Sequence, residues 1–234
     1  MKASDSDLRA RFPNDQGYVA SIRKRAVRLE AKPASDAAIA LGDSRLGGSP
    51  DLPQGAAWPM RGDQPLPFVA QLRLEDVAAF DEDALLPHEG WLLFFVDAAA
   101  RAARVLHVPG GSALARLRMP EGGRVFTPCA VGLSAIDSFP VPPSPFVDVE
   151  SISKKGRAQW DALLAEQAHD VAPGKAHQLL GYPTRGDDAG DFDGDTRLLL
   201  QLDADPAVGL DPAVRLTAQD AELRRAEFSR VKVR

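Results

Sequence analysis

Cysteine is almost absent from this chain of 234 residues, where Cys129 stands alone. An intramolecular disulfide and a four-cysteine zinc site are thereby excluded, and nothing points to an oxidising compartment. Long apolar runs are missing as well. The strongest, Trp91 to Val96, falls far short of the roughly 20 residues that cross a bilayer, and the opening MKASDSDLRARF lacks the apolar core of a signal peptide. The chain therefore reads as cytoplasmic, with no membrane partner. A hydrophobic fraction of 44% with 26% charged residues is ordinary for a globular protein.

Residues with recognised chemistry are equally sparse. Gly42-Asp43-Ser44 resembles the nucleophile block of GDSL-type esterases, but an activated serine needs a general base and oxyanion donors. The only asparagine, Asn14, is misplaced for that role, and no histidine follows an aspartate by three residues. No Gly-x-Ser-x-Gly elbow, G-x-x-x-x-G-K-[ST] or G-x-G-x-x-G occurs. The four histidines, His88, His107, His169 and His177, include no pair four apart, the spacing that sets two imidazoles on one helix face. Asp191, Asp193 and Asp195 have the opening spacing of a calcium loop, yet Thr196 stands where that loop needs glycine and Leu202 where it needs a bidentate glutamate. A solvated acidic loop is the better reading. No catalytic residue, metal site or cofactor is assigned.

Residues 1–32 hold eight basic against four acidic side chains, leaving 20 basic and 29 acidic in the remainder. The one basic cluster, Arg23-Lys24-Arg25 with Arg28, has neither interleaved aromatics nor a nucleic-acid motif, so no nucleic-acid partner is expected.

Periodicity predicts two helical pieces within 5–25, divided by Pro13 and Gly17, then a strand in which Val27, Leu29 and Ala31 alternate with charged residues up to Pro33. Five glycines and five prolines make 42–67 a long loop, which Trp58 argues is ordered. Strands are expected at 68–74, 91–96, 104–108, 125–131 and 196–203, with an extended crossover at 139–146. A helix is expected from Lys154 to His169, held by Trp160, Leu163 and Leu164 and capped by Ser153. The tail offers a helix around 218–225 capped by Thr217, and a last strand at 228–233. PFVAQLRLEDV (67–77) and RLLLQLDADP (197–206) share a Gln-Leu strand that runs into acidic residues, for which duplication and coincidence both remain open.

SRLGGSPDLPQGAAWP (44–59), LPFVAQLRL (66–74), LLPHEGWLLFFVD (85–97), HQLLGYP (177–183) and RLLLQLDADP (197–206) come in an order and spacing that resembles the YwqG-like family of bacterial proteins. Gly47, Gly48, Pro50, Pro53, Trp58, Pro59, Gln71, His177, Gly181, Tyr182, Pro183, Gln201 and Asp203 match its recurrent pattern, while 204–214 departs from it. The resemblance implies a cytoplasmic α+β protein, and a toxin-like protein partner that it would neutralise. It carries over no catalytic residue.

The expectation is thus a single α+β domain, 1–234, with extensive, mostly antiparallel sheet. It comprises a helical N-terminal extension (1–32), the Gly/Pro-rich loop (42–67) and a divergent C-terminal segment (207–234). Trp58, Gln71, His177, Tyr182, Gln201 and Asp203 are the candidates for binding a partner or ligand, because polar groups in apolar strands must find partners, either one another or something bound. A protein-binding module is the leading reading. A small-molecule pocket around Gln71, His177, Tyr182 and Gln201 is the alternative, and oligomeric state is left open.

Overall fold

A computed structural model describes residues 5–169, 176–184, 192 and 195–234. The alternating segment forms the centre of its sheet. Strand β1 (Lys24–Pro33) buries Val27 and Leu29 on one face and pairs along its whole length with β10 (Cys129–Ser138). Between them in sequence come β2 (Arg45–Leu46), β3 (Asp51–Pro53), β4 (Met60–Arg61), β5 (Gln64–Pro65), β6 (Phe68–Arg73), β7 (Trp91–Asp97), β8 (Ala102–Val108) and β9 (Leu114–Arg116). After β10 follow β11 (Gln178–Leu180), β12 (Thr196–Leu202), β13 (Val214–Gln219) and β14 (Lys232–Val233). The main sheet has ten antiparallel strands in the order β14-β13-β12-β11-β1-β10-β2-β6-β7-β8, and β3 with β9 and β4 with β5 form two small two-stranded sheets. The sheet curls into a nearly closed barrel. Its edges approach where Arg101 donates to the carbonyl of Val233 and the His107 ring meets Phe228. The fold is α+β, as expected.

Burial explains the strands. Phe94, Leu92, Leu72, Leu199, Leu202 and Leu216 fill the barrel, and each fully buried side chain of this size contributes roughly 1.5–3 kcal/mol. Outside it, α1 (Asp5–Arg11), α2 (Gln16–Ile22) and α4 (Lys154–His169) bury Leu8, Phe12, Val19, Trp160 and Leu163 against Phe139. Ser153 caps α4 as expected, its Oγ accepting from the N–H of Gly156. Asp15 in turn accepts from the N–H and hydroxyl of Ser153, fastening the α1–α2 corner to α4. The two short helices α3 (Leu74–Ala78) and α5 (Asp220–Arg224) each follow a strand of the barrel.

Several boundaries differ from the sequence reading. The strand expected at 125–131 begins at Cys129 and runs to Ser138, because Val125 is 60% exposed in a loop while the alternation continues opposite β1. The helix expected from Ala218 starts at Asp220, with a Gln219–Glu222 capping box in place of Thr217; Leu216 and Ala218 are buried in β13, which periodicity did not reveal. Residues 42–67 hold four short strands, one of which, β2, lies in mid-sheet.

The sheet repeats itself. Arg45 pairs with Gln71 and Leu46 with Ala70; likewise Gln178 pairs with Gln201 and Leu179 with Leu200. In both halves a bulge falls at the same place, between Phe68 and Ala70 and between Leu198 and Leu200. Both second strands end in two successive residues of positive φ, Gly47-Gly48 and Leu180-Gly181. Strands β2, β6, β7 and β8 thus correspond to β11, β12, β13 and β14, and the segments 67–77 and 197–206 occupy equivalent places. The first strands are exchanged: β1 pairs with β11 and β10 with β2. Neither half therefore closes its own sheet.

Candidate functional site

The two glutamines do the same job in the two halves. Gln71 Oε1 accepts from the N–H of Asp51 at 2.7 Å, and Nε2 donates to the carbonyl of Asp43 and to Asp51 Oδ2, both at 3.1 Å. Gln201 Oε1 accepts from the N–H of Thr184 at 3.2 Å, and Nε2 donates to the carbonyl of Ala176 at 3.0 Å and to Thr184 Oγ1. Each amide bridges the residues entering and leaving the neighbouring short strand, so it holds a loop that no regular ladder reaches. A buried amide suits the task because one side chain carries both a donor and an acceptor.

The surroundings of the two amides differ. In the first half Arg45 and Asp51 are buried with Gln71, and Arg116 joins Asp51 at 2.8 Å while also donating to the carbonyls of Asp36 and Ala40. Burial alone raises the Asp51 pKa, but the bonds from Arg116, the Gly42 N–H and Gln71, with the charge of Arg45, outweigh it and hold the carboxyl below its ordinary value. Desolvation lowers the pKa of Arg45, opposed by Asp51 and Asp36. In the second half Gln178 stands in place of Arg45 and Thr184 in place of Asp51, so the side chain that the Gln201 amide bridges to is uncharged.

His177 and Asp203 belong to the second network. His177 Nδ1 accepts from the N–H of Asp203 at 3.1 Å, which leaves the proton on Nε2, 3.1 Å from Asp205 Oδ2. Ser44 makes the equivalent bond in the first half, its Oγ accepting from the N–H of Arg73. Tyr182 is buried beside Phe146, and burial pushes its hydroxyl pKa up to about 12. Trp58 donates to the carbonyl of Leu66 and packs edge-on against Phe95, with ring centroids 5.3 Å apart. His177, Tyr182, Gln201 and Asp203 thus gather around β11 and β12, whereas Gln71 and Trp58 stand in the other half. Of the acidic triplet, Asp191 and Asp193 lie outside the described residues, and Asp195 is exposed. No group of three metal-ligating side chains occurs among the described residues.

A concave site lies elsewhere, where β7 leaves the barrel. A cleft of about 250 Å³ opens between the β4–β5 hairpin, the loop before β10 and the β12–β13 loop. Its floor is Pro65, Pro67, Val96, Phe126 and Leu210; its walls carry Arg61, Gln64, Asp97, Arg124 and Asp211. Arg61 reaches Asp97 at 3.2 Å. Arg124 lies over the Phe126 ring, 4.7 Å from its centroid, and donates to the carbonyls of Gly209 and Asp211. The exposed Met60 and Val125 adjoin it in sequence.

The equivalent place in the second half is closed. The registers set Lys24 opposite Phe126 in correspondence, Arg197 with Pro67 and Asp220 with Ala98. There Arg197 bonds Asp220 at 2.9 Å, Lys24 approaches Asp83 at 3.7 Å and Arg25 pairs with Glu82, leaving only about 10 Å³. Where the open cleft has Pro67 and Ala98, the second half has Arg197 and Asp220, which bond each other. Sequence reasoning missed it, since Arg61, Asp97, Arg124 and Asp211 form no motif; the one signal was the run of prolines with exposed apolar neighbours.

No curated protein matches the chain. The family described as Domain of unknown function (DUF1963) matches residues 44–233, which include both halves except β1, and the chain belongs to that family.

Proposed function

We propose that this protein is a non-catalytic binding module, YwqG-like and of the toxin-neutralising type, which holds a protein partner through the cleft at the end of β7. The size of that cleft carries the reading. About 250 Å³ falls below the 300–1,000 Å³ in which small-molecule ligands are enclosed. It exceeds the roughly 150 Å³ that accommodates a benzene ring. An open recess of that size suits one large side chain projecting from a partner, with Met60 and Val125 available beside it for further apolar contact. The alternative pocket around His177 and Gln201 is less favoured, because those polar groups are engaged with the fold's own backbone.

The test is reconstitution. A partner co-purified from the native host is produced separately and mixed with the wild type and with Ala98→Leu, which fills the cleft. A one-to-one complex by sedimentation, lost in the variant while its melting temperature is unchanged, supports the proposal. Absence of any stoichiometric complex, or a complex indifferent to Ala98→Leu, overturns it.

A further inference from the structure

The exchange of first strands leaves one stretch of β10 with a neighbour on one side only. β1 pairs with it along its whole length, but β2 takes only Cys129 and Ala130 on the other side. Leu29 gives its N–H to the carbonyl of His177, away from β10, so Leu133 opposite it turns its own N–H and C=O away from β1. Alternation gives the backbones of Val131 and Ala135 the same direction. None of these three outward N–H and C=O pairs meets a partner among the described residues. The side chains of Val131 and Leu133 are partly buried against the barrel core, and no residue from 131 to 136 is charged or proline.

The corresponding edge of β1 is closed. The registers set Leu29, Ala31 and Pro33 in the places of Val131, Leu133 and Ala135. There His177 takes the Leu29 N–H, Pro33 has none to offer, and the exposed Glu30 and Lys32 stand between them. Charge and proline are the means by which proteins keep a sheet edge from pairing with another chain. The edge of β10 has neither, although it occupies the same place.

We infer that the edge of β10 from Val131 to Ala135 is a strand-addition site: it takes an extended segment of the protein partner, an inference that rests on the protein-binding reading above. Main-chain hydrogen bonds to the three residues hold the segment antiparallel to β10 and in line with β2, and its alternate apolar side chains cover Val131, Leu133 and Ala135. The free stretch ends at β2 on one side and at Phe139, buried against Trp160, on the other, a slot of about 25 Å. A second copy of the chain does not suit it. Antiparallel pairing of two such edges would set β2 of each copy against Phe139 of the other. A strip one strand deep, about 4.8 Å, also falls far short of the roughly 800 Å² that each member of a stable pair contributes. A lone segment brings no flanking strands. It has an anchor nearby as well, since Phe126 in the cleft floor precedes Val131 by at most about 18 Å of chain.

The probe is the peptide acetyl-Lys-Thr-Val-Thr-Val-Thr-Val-Lys-amide, titrated into the full chain and followed by backbone shifts and amide hydrogen exchange in NMR. Exchange should slow at Val131, Leu133 and Ala135 and stay unchanged at Gly132 and Ser134, whose N–H groups already face β1. The same peptide with its valines N-methylated, which lacks the donors, should give no saturable shift. Ala135→Pro, which copies Pro33 of β1, should weaken binding about tenfold, roughly the value of one hydrogen bond. The N-methylated peptide carries the same test if that variant fails to fold. Ala98→Leu, which fills the cleft, should bind the peptide as the wild type does. Protection that is absent or uniform along 131–136 overturns the inference, as does equal binding of the N-methylated peptide. A wild-type dimer in sedimentation that Ala135→Pro dissociates assigns the edge to a second copy and overturns the partner segment. A partner complex lost with Ala98→Leu but indifferent to Ala135→Pro leaves the binding module standing and removes only the added strand. Alternating protection without any stoichiometric partner complex supports the strand site and overturns the cleft reading alone.

Discussion

The two halves of the barrel share register, bulge position and the glutamine bridge, yet one wraps its bridge in buried charge and leaves a cleft, whereas the other uses neutral partners and closes the cleft with ion pairs. What they share is what the geometry demands. A two- or three-residue strand in mid-sheet leaves the backbone on either side without a ladder, and a buried amide satisfies it in both halves. What differs is what the geometry tolerates, since Pro67 and Arg197 sit equally well in the same extended backbone. Function is therefore sought among the differences.

The comparison can be broken most severely at the left-handed pair. A side chain at Gly47 would put its Cβ 2.3 Å from the carbonyl oxygen of Thr127, whereas Leu180 already stands at the equivalent place with φ of 62°. Gly47→Leu is expected to lower stability by about 3 kcal/mol or more, and Leu180→Gly by about 2–4 kcal/mol for the loss of a buried side chain, partly offset by relief of its positive φ, as read from urea denaturation. A Gly47→Leu protein as stable as the wild type would show that the first turn does not require glycine.

Removing a bridge comes next. Gln71→Leu and Gln201→Leu each leave a buried carbonyl and N–H without a partner, so each should cost about 2–4 kcal/mol at 1–3 kcal/mol per important unsatisfied group. The larger loss belongs to Gln71, which also donates to a buried carboxylate. A Gln201→Leu protein with an unchanged denaturation midpoint would remove the bridge from the account of the second half.

His177→Ala should cost about 1–3 kcal/mol, because the Asp203 N–H and Asp205 lose a buried partner. If the midpoint is unchanged while partner binding is lost, the imidazole serves recognition instead.

Acid should separate the halves. Asp51 has its pKa lowered by the fold, from about 3.9 in an unfolded chain. A carboxylate of this kind adds stability above its unfolded pKa and loses it as pH falls toward the folded value. Below about pH 4, amide exchange should therefore accelerate first around β2, β3 and β6, while β11 and β12, whose bridge holds Thr184 in place of Asp51, keep their protection longer. Simultaneous loss in both halves would contradict the assignment.

The smallest effect is expected at the closed cleft. Arg197 and Asp220 are partly exposed, so Asp220→Ala should cost under about 1 kcal/mol and less in high salt. Its sharper use is structural: Arg197→Pro with Asp220→Ala should open a second recess, visible in a crystal structure as a cavity beside Leu198 larger than the present one of about 10 Å³.

Much of this was legible because it depends on neighbours in sequence. The strands at Phe68 and Trp91, the helix from Lys154 and its Ser153 cap follow from local periodicity and short-range capping, which need no knowledge of the fold. β11 and β13 were not legible. The first has only three residues, too few for a period, and VRLTAQ shows its alternation only once β12 lies beside it. The polar candidates Gln71, His177, Gln201 and Asp203 stood out as polar groups in apolar strands, but their partners are backbone atoms of loops that only the barrel brings near. The sequence by itself determined which residues must be buried and where the chain must turn, since hydrophobicity and the conformational limits of glycine and proline act locally. Tertiary structure alone decided that the two halves share one register and bulge, that their first strands are exchanged, and that one cleft stays open. Those facts rest on registers and distances between residues far apart in the chain.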